Sequence, residues 1–231
     1  MGTSVSHRSP NVPRWNAVIR RILDEDDPQN IQAELFNAGS LDGWDKELGR
    51  GAVGRFVEAL VEAHGSFGDA LTTAERPELA VQRLVDTVRQ RALAEEGAPG
   101  VALAERAFAR TLLITTRAPA PPAGGAAAES PAERWESARG SPPELVRRFL
   151  GEVLHQYTSH VVARDAGQLL GRPGFERVMS VRRLERELSQ QARGLAGRVE
   201  VEGSAPQLVA RWSEYVERAF REGAALPDAD G

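Results

Sequence analysis

Apolar residues along most of this chain recur with the period of an amphipathic helix. Trp15, Val18, Ile19 and Ile22 fall at i, i+3, i+4 and i+7, which predicts a helix over 14–23. Asp27 followed by Pro28 reads as an N-cap with proline at the first helical position, and Ile31, Leu35 and Phe36 carry a second helix to about 37. Residues 39–43, bounded by glycines, read as a turn. Val53, Phe56, Val57, Leu60 and Val61 make a broad stripe over 51–63 that Gly65 is expected to close. Pro77 opens a helix to about 94 with Val81, Leu84, Val85 and Val88 inward. The stretch 101–115 repeats the pattern with Leu103, Ala107, Phe108, Leu112 and Leu113, although the β-branched run 111–116 leaves helix and extended chain both open.

The pattern stops at Arg117. Residues 117–141 hold Ala118-Pro119-Ala120-Pro121-Pro122, then Gly124-Gly125 and three alanines, a composition that predicts a linker or long loop. Trp135 is out of place there and is a candidate to dock on a neighbouring helix. After Pro142-Pro143 the helical period returns. Leu145, Val146, Phe149, Leu150, Val153, Leu154 and Tyr157 form the strongest face in the chain, on a helix to about 170. A turn at 171–174 precedes a helix over 181–195 striped by Leu184, Leu188 and Leu195. Residues 198–202 alternate charge and valine, as a short strand or extended connector would. Ser204 and Pro206 start a last helix lined by Leu208, Val209, Trp212, Tyr215, Val216, Ala219 and Phe220. The expected fold is all-α, with seven or eight helices in two segments. The expected layout is a flexible arm (1–13), an N-terminal helical domain (14–116), the linker (117–141), a C-terminal helical domain (142–223) and a tail (224–231). Phe149, Leu150, Val153, Leu154, Trp212, Val216 and Phe220 are expected to share one core.

Composition narrows the class. The 231 residues contain no cysteine, which excludes a disulfide framework, a thiolate zinc site and a cysteine nucleophile. The net charge is −4, unlike that of a generally basic nucleic-acid protein. No apolar run approaches the ~18 residues of a membrane span, so a cytoplasmic protein without membrane contact is expected. All but one of the 29 basic residues are arginine, the exception being Lys46. That usage indicates a G+C-rich bacterial genome.

Candidate chemistry is sparse. His7, His64, His155 and His160 lack the i, i+3 or i, i+4 spacing of a helical metal pair. The acidic run 24–27 separates two helices, and helix capping explains it better than a metal cluster. There is no phosphate-binding P-loop, dinucleotide fingerprint or nucleophile elbow. Gly49-Arg50-Gly51 and Gly54 open a helix and suit a loop or close packing better than an anion site. The span 164–198 holds eight arginines and four acids. Within it Arg172, Arg177, Arg182, Arg183 and Arg186 are a candidate basic patch, although a solvated helix face explains them better than nucleic-acid binding. Neither a catalytic residue nor a metal site is expected, and no cofactor intrinsic to the chain.

The opening residues carry the most specific signal. Met1-Gly2-Thr3-Ser4, a small polar stretch, and then Pro13 and Trp15 resemble the start of QatB proteins of the bacterial Qat antiphage defence systems. In such systems the QatB chain is accompanied by an ATPase, a QueC-like enzyme and a TatD-like nuclease. The resemblance implies a non-enzymatic acceptor, in which the QueC-like enzyme joins a deazaguanine covalently to Gly2 and recognises Thr3 and Ser4 behind it. The residues agree with that chemistry. Glycine at position 2 permits removal of Met1, the exposed α-amine titrates near pH 8, and the absence of a Cβ lets it enter a narrow cleft. A helical adaptor with an unmodified arm and a nucleic-acid-binding module are the competing expectations. Met1-Gly2 followed by Ser6 also fits the myristoylation pattern, which bacterial residue usage argues against.

Overall fold

The computed structural model of the protein describes residues 12–24, 26–41, 43–92, 99–117, 130–171 and 178–225. They form α1 (Val12–Leu23), α2 (Pro28–Leu41), α3 (Trp44–Gly49), α4 (Gly51–Thr73), α5 (Pro77–Ala92), α6 (Pro99–Thr116), α7 (Pro131–Ala138), α8 (Pro142–Leu169), α9 (Val178–Leu195), a 3-10 turn at Ala196–Arg198, α10 (Ala205–Ala210) and α11 (Trp212–Ala224). The fold is all-α, with no strand among the described residues. Residues 1–11, most of the expected arm, lie outside the described residues, as do 118–129 of the linker, 226–231 of the tail and the side chain of Trp15.

The caps explain several helix starts. The Gln29 N–H donates to Asp27 Oδ1 at 2.7 Å, so Asp27 caps α2 as its sequence suggests. Ser130 and Glu133 form a reciprocal capping box on α7, with Pro131 at the first helical position. At the start of α8 the Ser141 N–H donates to Glu144 Oε2 at 2.6 Å. These backbone donors, with the Ser130 and Ser141 hydroxyls, hold Glu133 and Glu144 below the usual carboxylate range.

α8 is the central element. Leu145, Val146, Phe149, Leu150, Val153, Leu154, Tyr157 and Val161 along it are fully buried. It packs against α4 and α6 from the first half of the chain and against α9 and the 3-10 turn from the second. α11 packs on α2, α3 and α9. The residues expected to share a core do so, and Val53, Phe56, Leu60 and Phe108 from the N-terminal segment belong to the same cluster. The boundaries 14–116 and 142–223 therefore mark stretches of sequence, because neither segment closes a core of its own. The connector 199–204 is extended rather than a strand: Val199 and Val201 are buried, and Glu200 and Glu202 face solvent.

Three expectations are corrected, and one open alternative is decided. Among the described residues the helix count rises to eleven, because α3 forms at 44–49, where no helix is expected, because α7 forms inside the expected linker, and because the last helix breaks at Arg211 (φ −94°, ψ 6°) into α10 and α11. Within 117–141, α7 is ordered, and Trp135 is fully buried with its ring 5.0 Å from Phe67. Arg134 fastens α7 by donating to the Thr116 carbonyl at 2.8 Å, which caps the end of α6. Gly65 does not end α4, because Phe67 and Leu71 continue its buried stripe for two more turns. Finally, 111–116 is helical: the Thr111 and Thr115 hydroxyls each donate to the carbonyl four residues earlier at 2.8 Å, which satisfies these buried groups without leaving the helix.

Two glycines let helices meet closely. A Cβ on Gly39 in α2 would lie 1.7 Å from Tyr157 Oη, and one on Gly223 in α11 would lie 2.7 Å from Phe36 Cγ. This explains why 39–41 stays helical: Gly39 is a packing site rather than a turn. Gly65, by contrast, has open space around its Cβ position. We therefore expect Gly39→Ala and Gly223→Ala each to destabilise by about 1–3 kcal/mol through overpacking. Gly65→Ala should stabilise by about 0.5–1 kcal/mol, since it removes a flexible residue from a helix interior. Urea unfolding of the three variants checks the opposite signs.

Candidate functional site

Of the residues singled out in the sequence, Gly2, Thr3, Ser4, Arg172 and Arg177 lie outside the described residues. Arg182, Arg183 and Arg186 are exposed on α9, opposite its buried stripe of Val181, Leu188, Ala192 and Leu195. Arg183 pairs with Glu187 one turn on at 2.9 Å, an exposed pair that contributes little to stability. Glu185 accepts a hydrogen bond from the Ser159 hydroxyl of α8. The span 164–198 is thus not one patch, because Arg193 turns inward while Arg182 and Arg186 face solvent.

Arg193 leads to a feature the sequence reading missed. Glu152 sits on the flank of the apolar face of α8, one turn from Arg148, and is only 5% exposed. Its Oε2 lies 2.9 Å from Arg110 Nε of α6, and its Oε1 lies 2.8 Å from Arg193 Nε of α9. One buried carboxylate thereby joins three helices. The helices can approach this closely because the neighbouring residue is Gly151, where a Cβ would come within 3.1 Å of the Arg193 carbonyl. Beside this node lies a cleft of about 330 Å3 whose lining includes Thr111, Ile114, Arg147, Arg148, Glu152 and Gly197. Arg147 Nη2 donates to the Val201 carbonyl at 3.4 Å, and its buried Nε has no protein partner. Arg148 donates to the Ala138 carbonyl. The sequence offered little signal: Glu152 has Arg148 and Gln156 one turn away on either side, where helical periodicity allows a polar side chain, and only its proximity to the run Phe149-Leu150 and Val153-Leu154 hints at burial.

The three described histidines serve packing and helix junctions. His64 Nε2 is 2.8 Å from the Gly140 carbonyl, and Arg139 donates to His64 Nδ1 at 3.0 Å. With Arg139 occupying Nδ1, the proton belongs on Nε2, and the pair ties α4 to the α7–α8 junction. The His160 ring meets Trp44 edge-on at 5.7 Å. His155 Nδ1 lies 3.2 Å from the Ser189 carbonyl. Burial holds His155 below the usual histidine value, against the upward pull of that carbonyl, and the nearby Arg193 adds to the lowering.

In the acidic run, Asp26 pairs with Arg21 at 2.6 Å and accepts from Asn30 at 2.9 Å. Hydrogen bonds from Asn30, Arg21 and the Asp27 N–H hold it below its ordinary range. Among the described residues no group of three or more histidine and acidic side chains is placed to hold a metal ion. Arg50, between Gly49 and Gly51, pairs with Glu47 at 2.6 Å. Gly49 lets α3 approach α11, with the Ser213 Cα 3.3 Å from its Cβ position.

Among the described residues no helix is long and apolar enough to cross a membrane. No protein-family model matches the chain, and neither a curated protein nor a solved structure is significantly similar to it.

The Glu152 node predicts an asymmetry. Arg110 and Arg193 are 46% and 36% exposed, so water can solvate them when Glu152 is neutralised. Glu152→Gln should cost about 1–2 kcal/mol. Arg110→Gln with Arg193→Gln leaves a buried carboxylate uncompensated and should cost about 3–5 kcal/mol. Denaturant unfolding near neutral pH reads the difference. His155 adds a pH dependence. Its folded-state pKa lies below the unfolded value of 6.5, so between the two the unfolded chain binds more protons. Stability should therefore fall as pH drops below about 6.5. His155→Asn, whose amide can replace the bond to Ser189, should flatten that dependence in unfolding midpoints measured across pH 5–7.

Proposed function

We propose that this chain is a QatB-like, non-enzymatic component of a bacterial antiphage defence system, and that a QueC-like enzyme conjugates a deazaguanine to its Gly2. The opening Met1-Gly2-Thr3-Ser4, with Pro13 and Trp15 behind it, carries the reading. After removal of Met1 the Gly2 α-amine attacks a deazaguanine carboxyl group that the partner has activated with ATP. The new bond is an amide; the activating group leaves, and the amine gives up a proton. The chain supplies the nucleophile and the partner supplies the catalytic groups. Thr3 and Ser4 offer small hydrogen-bonding side chains for recognition at the partner's cleft.

In this reading the chain is cytoplasmic and contacts no membrane. It acts as effector or scaffold alongside the system's ATPase and TatD-like nuclease. The deazaguanine adduct is its only cofactor-like group, and nucleic acid is not its ligand. Two observations favour the last point. Arg183 is already paired with Glu187, and Arg193 with Glu152, which reduces the free charge of the arginine-rich span.

The test is co-expression with the QueC-like partner, followed by intact-mass and peptide mass spectrometry. The expected result is loss of Met1 and gain of one nucleobase adduct at the terminus. Gly2→Leu should abolish both while leaving the unfolding midpoint unchanged. An unmodified Gly2 terminus beside an active partner, with defence intact, would overturn the proposal and favour a plain helical adaptor. The isolated chain should bind DNA and RNA weakly at physiological salt. Tight binding that Arg182→Glu, Arg183→Glu and Arg186→Glu together abolish would instead make it a nucleic-acid module.

A further inference from the structure

We propose that the cleft between α6, α8 and the end of α9 binds a small phosphomonoester carrying an apolar or aromatic body. The inference rests on charge, surface and size, and it is independent of chemistry at Gly2. The buried Glu152 carboxylate is engaged by Arg110 and Arg193, so it has little left to offer the remaining cations. Arg147 and Arg148 donate to the backbone carbonyls of Val201 and Ala138, which are neutral acceptors, and Arg147 Nε is buried without a protein partner. The acid nearest these two guanidinium groups in sequence is Glu144, which interacts electrostatically with both. It is exposed and already serves as the cap partner of Ser141. Two adjacent arginines on one turn of α8 therefore border the cleft with unspent charge.

A carboxylate ligand brings one charge. A phosphomonoester brings about −1.5 to −2 near neutral pH, with three acceptor oxygens, which suits a cleft lined by two guanidinium groups. Part of the wall is apolar. Ile114 is 46% exposed, among the few large apolar side chains so exposed in the described residues, and it lines this cleft together with Ala196 and the small Gly151 and Gly197. Inorganic phosphate would leave that wall in water, whereas a ligand with an apolar body would cover it. The volume of about 330 Å3 is at the lower end of the range for small-molecule sites, about 300–1,000 Å3. The node behind the cleft is rigid, since Glu152 fixes three helices at once, so the site needs little reorganisation to accept its ligand.

The experiment uses the full chain, 15N-labelled, titrated separately with phenyl phosphate, inorganic phosphate and phenol. Phenyl phosphate should give saturable amide shifts at Ile114, Gly151 and Gly197, with inorganic phosphate and phenol each weaker by at least about tenfold. Arg147→Gln with Arg148→Gln should weaken phenyl phosphate by at least about tenfold. Gly197→Glu provides a second variant should the arginine pair disturb folding. A Cβ there meets nothing within 4 Å, so the side chain fits and brings a negative charge to the cleft, which should abolish binding. Equal affinity for inorganic phosphate or phenol, unchanged binding in the folded variants, or no saturable shifts at millimolar phenyl phosphate would overturn the proposal. Loss of Gly2 modification leaves all of these readouts untouched, so the two readings fail separately.

Discussion

Phe149 stacks on Trp212 with ring centroids 5.2 Å apart and meets Phe108 nearly perpendicularly at 6.4 Å, and the molecule is arranged around this contact. Phe56 extends the row by packing on Phe108 at 5.6 Å. The row therefore crosses α4, α6, α8 and α11. Further along α8, Tyr157 gathers Phe36, Phe220 and Trp44 into a second aromatic group. Both groups are anchored on α8, and each draws rings from both halves of the chain. Neither half can bury its aromatic residues without the other, which is why the residues before and after the linker fold as one core. The indole N–H of Trp212 donates to the Leu48 carbonyl at 2.8 Å, so burying this ring leaves no unsatisfied donor. That bond also locates α3, the short helix whose carbonyl accepts it.

Surrounding α8 in this way has an electrostatic consequence. A helix covered by α4, α6 and α9 has few places for a charge, yet Glu152 lies on it. Burial of a lone carboxylate would be costly, and the structure answers with guanidinium groups from two different helices. Their half-exposed positions matter. Because both arginines reach in from solvent, the node is a surface joint with a buried centre, and the cleft opens beside it. Two of the three side chains in this joint, Glu152 and Arg193, also line the cleft.

The legible parts of the sequence were those in which one local pattern had one physical cause. The stripe of α8 and the Asp27 cap of α2 are examples. The Trp212, Val216 and Phe220 face of α11 is another. Gly65 failed as a stop signal because a glycine ends a helix only where the next residues have nothing to bury, and Phe67 and Leu71 have a core to reach. Trp135 was surrounded by linker composition, but a single indole filling a site against Phe67, with Arg134 capping α6, orders the eight residues of α7. The Glu152 node was the hardest to read. Its partners lie on other helices, 42 and 41 residues away in sequence, and only tertiary packing tells Arg193 from the solvent-facing Arg182 and Arg186.

The scarcity of lysine bears on chemistry at the N-terminus as well. Arginine guanidinium groups stay protonated at physiological pH and are poor nucleophiles, so a carboxyl group activated for amide formation has few amines on this chain to meet. The single lysine side chain, Lys46, is exposed on α3. If Gly2 is the acceptor, as proposed, selectivity for it needs no elaborate exclusion of competing amines by the partner. Using arginine rather than lysine for the Glu152 node and the cleft leaves the body of the protein with a single lysine amine, so under the proposed reading recognition of the first few residues is enough to direct the modification.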